Sequence, residues 1–244
     1  MSDRAIPIDG RSYQVDGRAV ARRAIPDTVD ERWPADEGSG TTLNNSITAV
    51  DISLTFDRWA TGTQYNGDTA PDFANGDNAT SGSQITGLNG TEAFVGLWLD
   101  NVTQSDDFAG ILGTNDAGDE PTDGYFVYFE SVSTELRAAH YDNGSRTDLL
   151  RNVAIPDANT NHLFVGYGVN GNNGELWVYD PSGTQQANAT GTGARNVTGD
   201  EYLNLSTQFG DRDIIGPIDD IVSAATKPTT TQVEDIVNST GPNA

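Results

Sequence analysis

The chain contains no cysteine, which removes disulfides, thiolate nucleophiles and cysteine-ligated zinc together and leaves the redox compartment undetermined. Its two histidines, His140 and His162, both fall in strand-like stretches. With no G-x-S-x-G elbow beside them, a histidine on a sheet reads as a packing residue rather than part of a Ser-His-Asp site. H-E-x-x-H, EF-hand loops and phosphate-cradling glycine motifs are missing too. No apolar run approaches the ~20 residues of a membrane span, and the opening MSDRAIPIDG lacks the apolar core of about 7–15 residues that a signal peptide needs. The expectation is a protein neither inserted in a membrane nor addressed to the secretion machinery. Helical periodicity is nearly absent.

Positive charge is also scarce. Lys227 is the only lysine, arginine supplies the other basic residues, and 36 Asp and Glu against 13 Lys and Arg leave a net charge of −23 over 244 residues. At 1 M ionic strength the Debye length falls to about 3 Å, so such a surface no longer repels itself while its carboxylates stay hydrated. The acidity therefore points to a habitat of molar salt, and to a solvated surface rather than a cation store. Nucleic acid is disfavoured as a partner, because the body has no basic stripe to displace counterions from phosphates. The apolar fraction of 35%, with 8% aromatic residues, still permits a core, so the chain is not disordered.

The little positive charge is unevenly placed. Arg4, Arg11, Arg18, Arg22 and Arg23 lie among the first 23 residues, whose net charge is +2, whereas the rest of the chain carries −25. This segment repeats RAIP (4–7 and 23–26) and IDGR/VDGR (8–11 and 15–18). A seven-residue helix repeat is ruled out by Gly10 and Gly17, each costing about 1 kcal/mol inside a helix. Residues 1–26 therefore read as an extended docking arm, with Arg11, Tyr13, Arg18, Arg22 and Arg23 as the contacts and alternating apolar residues able to add a strand to a neighbour's edge. A frayed terminus is the simpler alternative.

Residues 27–244 read as one all-β domain. Short alternating runs are broken by Gly, Asn, Asp and Pro at intervals of about ten residues, the spacing of an antiparallel sandwich. In AFVGLWLD (93–100) Val95, Leu97 and Leu99 share one face and Phe94 and Trp98 the other. GYFVYFES (124–131) behaves alike, which marks central strands apolar on both sides, and HLFVGYGV (162–169) puts Leu163, Val165, Tyr167 and Val169 on one side and Phe164, Gly166 and Gly168 on the other. ELWVYDPSGT (175–184) ends in a hairpin turn. The Asn- and Gly-rich stretch 66–84 reads as a loop. The one helix is expected in TTTQVEDIVNSTG, with Pro228 before it, a capping box at Thr231 and Glu234, and Gly241 beyond its end.

Three stretches, taken in order, resemble the laminin G-like branch of the concanavalin A-like lectin and glucanase superfamily: RWPADEGSGTTLNNS (32–46), the consecutive strands from DGYFVYFES to GELWVYDPSGTQQA, and IIGPIDDIVSAATKPTTTQVEDIV (214–237). The resemblance implies a two-sheet antiparallel jelly-roll sandwich with a short C-terminal helix. In that fold the closing strand returns beside the opening one, so Ile214, Ile215, Ile218 and Ile221 should pack under Trp33. Asp219 and Asp220 then read as structural hydrogen-bonding residues near a sheet edge. The RAIPD opening resembles the N-termini of structural proteins from tailed viruses of halophilic archaea. That implies a capsid- or tail-surface protein held to other virion subunits by its arm, standing in high salt as a homo-oligomer.

Glycan-cutting enzymes of the superfamily carry E-x-D-x-x-E on one strand, because a retaining pair needs its carboxyl groups ~5–5.5 Å apart. That motif is missing, and the adjacent acids Asp106–Asp107, Asp219–Asp220 and Glu234–Asp235 would point to opposite faces, so no enzyme is expected. Laminin G-like domains frequently carry calcium at a loop rim, which makes Asp116, Asp119, Glu120 and Asp123 a candidate set for a hard cation. For glycan recognition, Trp59 and Tyr65 with Asp57 and Asn66 offer aromatic faces beside polar groups; the simpler reading has Trp59 covering an edge of the sandwich. Nine N-x-[ST] sequons run from Asn44 to Asn238, acceptors only if the protein meets a glycosylating pathway. The reading is a non-enzymatic virion protein contacting host surface glycans. The alternatives are a cellular or secreted carbohydrate-binding module and, third, a glycoside hydrolase or lyase.

Overall fold

The computed structural model describes residues 13–15, 18–20, 25–62, 68–104, 107–115, 123–130, 132–196, 202–206 and 213–240. In chain order the strands are β1 (Tyr13–Val15), β2 (Arg18–Val20), β3 (Glu31–Trp33), β4 (Thr42–Leu43), β5 (Ile52–Leu54), β6 (Trp59–Thr61), β7 (Thr69–Phe73), β8 (Asn78–Ser81), β9 (Glu92–Asp100) and β10 (Thr103–Gln104). They continue as β11 (Gly110–Asn115), β12 (Gly124–Phe129), β13 (Glu135–Asp142), β14 (Ser145–Ala154), β15 (His162–Asn170), β16 (Asn173–Tyr179), β17 (Gln185–Thr192), β18 (Tyr202–Ser206) and β19 (Ile214–Ala224), followed by helix α1 (Thr230–Thr240).

Two antiparallel sheets face each other. One runs β17-β16-β15-β9-β19-β7-β6, with β3 and β10 also paired to β19; the other runs β14-β13-β12-β11-β18-β8-β5-β4. Alternation along the strands sorts the side chains as the sequence implies. Val95, Leu97, Leu99, Tyr125, Val127, Phe129, Leu163, Val165 and Tyr167 fill the space between the sheets. The opposite face of the first sheet is apolar because α1 lies on it, burying Phe94, Trp98, Phe164 and Trp177 under Val233, Ile236 and Val237. Two indoles clasp the helix ends: Trp98 Nε1 donates to Thr240 Oγ1 at 3.0 Å and Trp177 Nε1 to Thr230 Oγ1 at 3.5 Å. The aromatic rings lie close over the strands because Gly96 leaves the space, since a Cβ there would sit 2.4 Å from the Phe164 ring.

The closing strand β19 does return beside the opening one, pairing Ile221 with Trp33 and Val222 with Arg32. Ile214, Ile218 and Ile221 join Trp33 in the core. Ile215 does not, because strand alternation turns it away, and it is only partly buried. Asp219 and Asp220 sit mid-strand, not near an edge: Asp219 pairs with Trp98 of β9, a bulge follows between Asp219 and Val222, and β3 pairs with the next residues, Ile221 to Ser223. The bulge carries Asp220 at φ 39°, and its carboxylate accepts from Arg32 Nε and Nη2, both at 2.7 Å. Asp219 Oδ1 accepts from the Asp220 amide. Both acids are structural, as expected.

Two local expectations are corrected. Stretch 66–84 is not a loop throughout. It supplies β7 and β8, joined by a turn in which the Asp77 amide donates to the Ala74 carbonyl with Gly76 at φ 86°. Its Pro, Asp and Asn residues carry little strand propensity, and pairing with β6, β19, β5 and β18 overrides it. The helix cap lies two residues earlier than expected. Thr229 and Gln232 form the box, Gln232 Oε1 accepting from the Thr229 amide at 2.8 Å and Thr229 Oγ1 facing the Gln232 amide at 3.4 Å. Thr231 and Glu234 are exposed on the helix.

In the N-terminal segment, β1 and β2 pair with each other, Tyr13 opposite Val20 and Val15 opposite Arg18. Of the alternating apolar residues expected to add a strand to a neighbour, Tyr13, Val15 and Val20 thus lie in strands that pair with each other, and Ile8 lies outside the described residues. Arg11, Arg22 and Arg23 lie outside the described residues. Among the described residues no helix is long and apolar enough to cross a membrane.

Candidate functional site

The sequence-derived glycan site falls at the free edge of the first sheet, where β6 begins. Trp59 Nε1 points at the Gly40 carbonyl and at Asp57 Oδ1, each at 3.2 Å, and Asp57 Oδ1 also accepts from the Gly40 amide at 2.7 Å. The indole is partly buried against the main core. Trp59 therefore does cover the sandwich edge, as a partly buried residue whose indole is fixed in orientation by Asp57 and the Gly40 carbonyl. Tyr65 and Asn66 lie outside the described residues, so the structure places half of the proposed set.

Of the calcium candidates, Asp116, Asp119 and Glu120 lie outside the described residues. Asp123 Oδ1 accepts from the Asn143 amide at 2.9 Å, which ties it to the β13–β14 turn. Among the described residues no group of three or more His, Asp and Glu is gathered to hold a metal.

Comparison with known proteins bears on the fold at this point. No family model matches the sequence, and no curated protein matches it. Solved structures do. The binding domain of botulinum neurotoxin DC in complex with SialylT superposes with a TM-score of 0.59 at 11% identity, over 89% of this chain and 52% of that one. The same toxin's binding domain in complex with rat synaptotagmin II gives 0.60 at 12%, over 89% and 52%. Domain 4 of AbnA, a GH43 extracellular arabinanase from Geobacillus stearothermophilus, in complex with arabinotriose, gives 0.59 at 15%, over 86% and 98%. This chain shares the fold of those domains. It is a two-sheet antiparallel β-sandwich, and it spans about half the length of the toxin chains it matches. At these identities the likeness is one of fold.

Two clusters escaped the sequence reading. The first is a cleft of about 300 Å³ on the outer face of the β16–β17 hairpin, lined by Asn173, Gly174, Glu175, Thr190, Gly191, Thr192 and Lys227. Cross-strand register makes it: Asn173 lies opposite Thr192 and Glu175 opposite Thr190, so alternate polar residues of both strands share one face. The polar groups hold one another in place. Thr192 Oγ1 donates to Asn173 Oδ1 at 3.1 Å, Asn188 Nδ2 to Glu175 Oε1 at 3.0 Å, and Lys227 Nζ to Glu175 Oε2 at 2.5 Å. Lys227 also lies 5.3 Å from the centre of the Trp177 ring. The alternation E-L-W-V and N-A-T-G-T signalled such a face, but nothing in it marks which polar residues a ligand would meet.

The second cluster is buried between the sheets. His140 Nδ1 lies 2.9 Å from the Gly193 carbonyl, and His140 Nε2 lies 2.9 Å from the Tyr167 hydroxyl. The carbonyl can only accept, so Nδ1 carries the proton and the Tyr167 hydroxyl donates to Nε2. Gly174 permits this arrangement, since a Cβ there would fall 1.9 Å from that hydroxyl. His140 is thus a packing residue, as the sequence suggested, and not part of a triad. Burial lowers its pKa from 6.5 to about 4, with the Gly193 carbonyl opposing and the Arg195 charge reinforcing the shift. Burial likewise pushes the Tyr167 hydroxyl up.

The shift has a consequence for stability. The unfolded chain binds a proton at His140 near pH 6.5 and the folded chain only near 4, so this contribution is complete above pH 6.5 and is lost as pH falls through that window. It amounts to something on the order of 3 kcal/mol. His140→Gln flattens this limb, seen as a difference between the wild-type and variant urea midpoints from pH 7 down to pH 4.

Proposed function

We propose that this chain is a non-enzymatic glycan-binding β-sandwich of a halophilic archaeal virus particle, displayed on capsid or tail and held to other virion subunits by residues 1–26. The observation that carries the binding reading is the hairpin cleft. Its amide, hydroxyl, carboxylate and ammonium groups are fixed by mutual hydrogen bonds on a rigid sheet, which suits a ligand rich in hydroxyls. The likeness to binding domains crystallised with SialylT and with arabinotriose supports it, as does the absence of an E-x-D-x-x-E strand from the sequence. The acidic body and basic leader support the particle reading. The Trp59 indole, partly buried and held by Asp57, favours a second position for the sugar at the opposite edge.

An oligosaccharide array followed by calorimetry separates the positions. Asn173→Ala combined with Thr192→Ala weakens binding about five- to thirtyfold, the loss of one or two hydrogen bonds of about 1 kcal/mol each, and Trp59→Ala leaves it unchanged. The reverse pattern moves the site to Trp59, and no binding to any oligosaccharide removes the glycan reading. Deleting residues 1–26 abolishes incorporation into particles while the sandwich keeps its melting temperature; normal occupancy without them removes the arm's role.

A further inference from the structure

Seven residues line the hairpin cleft, and only two of them carry charge, Glu175 and Lys227. Lys227 is the chain's sole lysine and reaches the cleft from the connection between β19 and α1. Its stem crosses Gly168, where a Cβ would lie 3.0 Å from Lys227 Cγ, and its ammonium stands 5.3 Å from the centre of the buried Trp177 ring. Lys227 Nζ donates to Glu175 Oε2, and Asn188 Nδ2 donates to Glu175 Oε1. Both carboxylate oxygens are engaged, and the two charges of the cleft cancel each other at contact.

The pair is held in place. The Lys227 side chain is 23% exposed and that of Glu175 16%, so water and salt screen their attraction less than that of a surface pair. Swinging the ammonium towards a ligand would move it off the Trp177 ring and leave Glu175 without its counter-charge. What the cleft still offers is uncharged: the Asn173 amide, the Thr190 and Thr192 hydroxyls, all three on exposed residues, and the backbone at Gly174 and Gly191.

We propose that this cleft selects uncharged saccharides over acidic ones. The inference rests on the glycan reading of the cleft and narrows it to one class of sugar. A sugar carboxylate placed here must either face Glu175 or take Lys227 away from it, and both arrangements set like charges against each other. A sugar hydroxyl meets no such conflict, since it donates to one amide or hydroxyl oxygen and accepts from the next donor. Recognition through neutral hydrogen bonds also keeps its strength at molar salt, where exposed charges are screened.

The test pairs saccharides that differ only in charge, using gluco-, galacto- and manno-trisaccharides each set against its uronate counterpart, with calorimetry on the full chain. For whichever backbone binds, the neutral member is held at least about tenfold tighter than the uronate. Its affinity changes by less than about twofold between about 0.2 M and about 3 M potassium chloride. Glu175→Gln leaves the Lys227 charge uncompensated and narrows the preference for the neutral member severalfold at the lower salt. Should that variant fail to fold, the wild-type comparison decides alone. A uronate bound as tightly as its neutral counterpart, a neutral sugar whose affinity falls steeply with salt, or an unchanged preference in Glu175→Gln each overturns the proposal while leaving the glycan reading in place. Full affinity for the neutral sugar in Asn173→Ala combined with Thr192→Ala overturns it too, by placing the sugar elsewhere. Binding of neither member of any pair removes the glycan reading, and the proposal with it.

Discussion

Asp220→Ala lowers the unfolding free energy by about 3–5 kcal/mol, a large fraction of the stability of a domain of this size. The carboxylate is fully buried, its partner Arg32 is 6% exposed, and two bonds of 2.7 Å join them. Removing the acid leaves the guanidinium buried without its counter-charge, and that penalty dominates the small cavity left by three heavy atoms. The pair also fixes topology, since Arg32 belongs to the opening strand and Asp220 to the closing one, paired across the centre of a sheet. Because it is buried, the loss persists at molar salt, where exposed pairs such as Arg58–Asp77 are screened. Urea unfolding at low and at molar salt measures both points. The double replacement Arg32→Met with Asp220→Leu recovers most of the loss, as expected when both charges leave a buried site together.

Ile236→Asp has a comparably large effect through a different route. Ile236 is fully buried among Phe94, Trp98, Phe164 and Trp177 on the outer face of the first sheet. A carboxylate there must either stay neutral or leave, and α1 is held by little beyond this apolar face and the two indole bonds. The expected result is undocking of the helix at a cost of several kcal/mol. Trp98 and Trp177 become exposed, so tryptophan emission shifts to the red and a hydrophobic dye binds, while the strand signal in circular dichroism remains. Unchanged emission would show that the helix does not cover those rings in solution.

The two substitutions mark where sequence and structure divide the information. The alternation in 93–100 and 124–129 showed strands apolar on both faces, but not what covers them: α1 lies over Phe94, Trp98 and Phe164, whereas Phe126 and Tyr128 pack with Phe108, Ala139 and Tyr141. Two boxes, Thr229–Gln232 and Thr231–Glu234, satisfy the same spacing, and the sequence alone does not choose between them; the structure uses the first. Strands β7 and β8 were hidden because Thr-Ala-Pro-Asp-Phe and Asn-Ala-Thr-Ser become strands only when long-range neighbours supply the hydrogen bonds. Trp59 was legible as either a sugar platform or an edge cover, and its packing against the core and its bonds to Gly40 and Asp57 make it an edge cover.

What the amino-acid order determined by itself was periodic: an all-β body, the face each side chain takes, one terminal helix, and an acidic surface set against a basic leader. These follow from alternation, turn residues and charge, all of which are local. What tertiary structure alone decided was convergence. The Arg32–Asp220 pair, the His140–Tyr167 link and the polar cleft at Lys227 each join residues distant in the chain or set by cross-strand register. A pair's energy depends on the distance and burial that the closed sandwich imposes, and no local pattern carries either quantity.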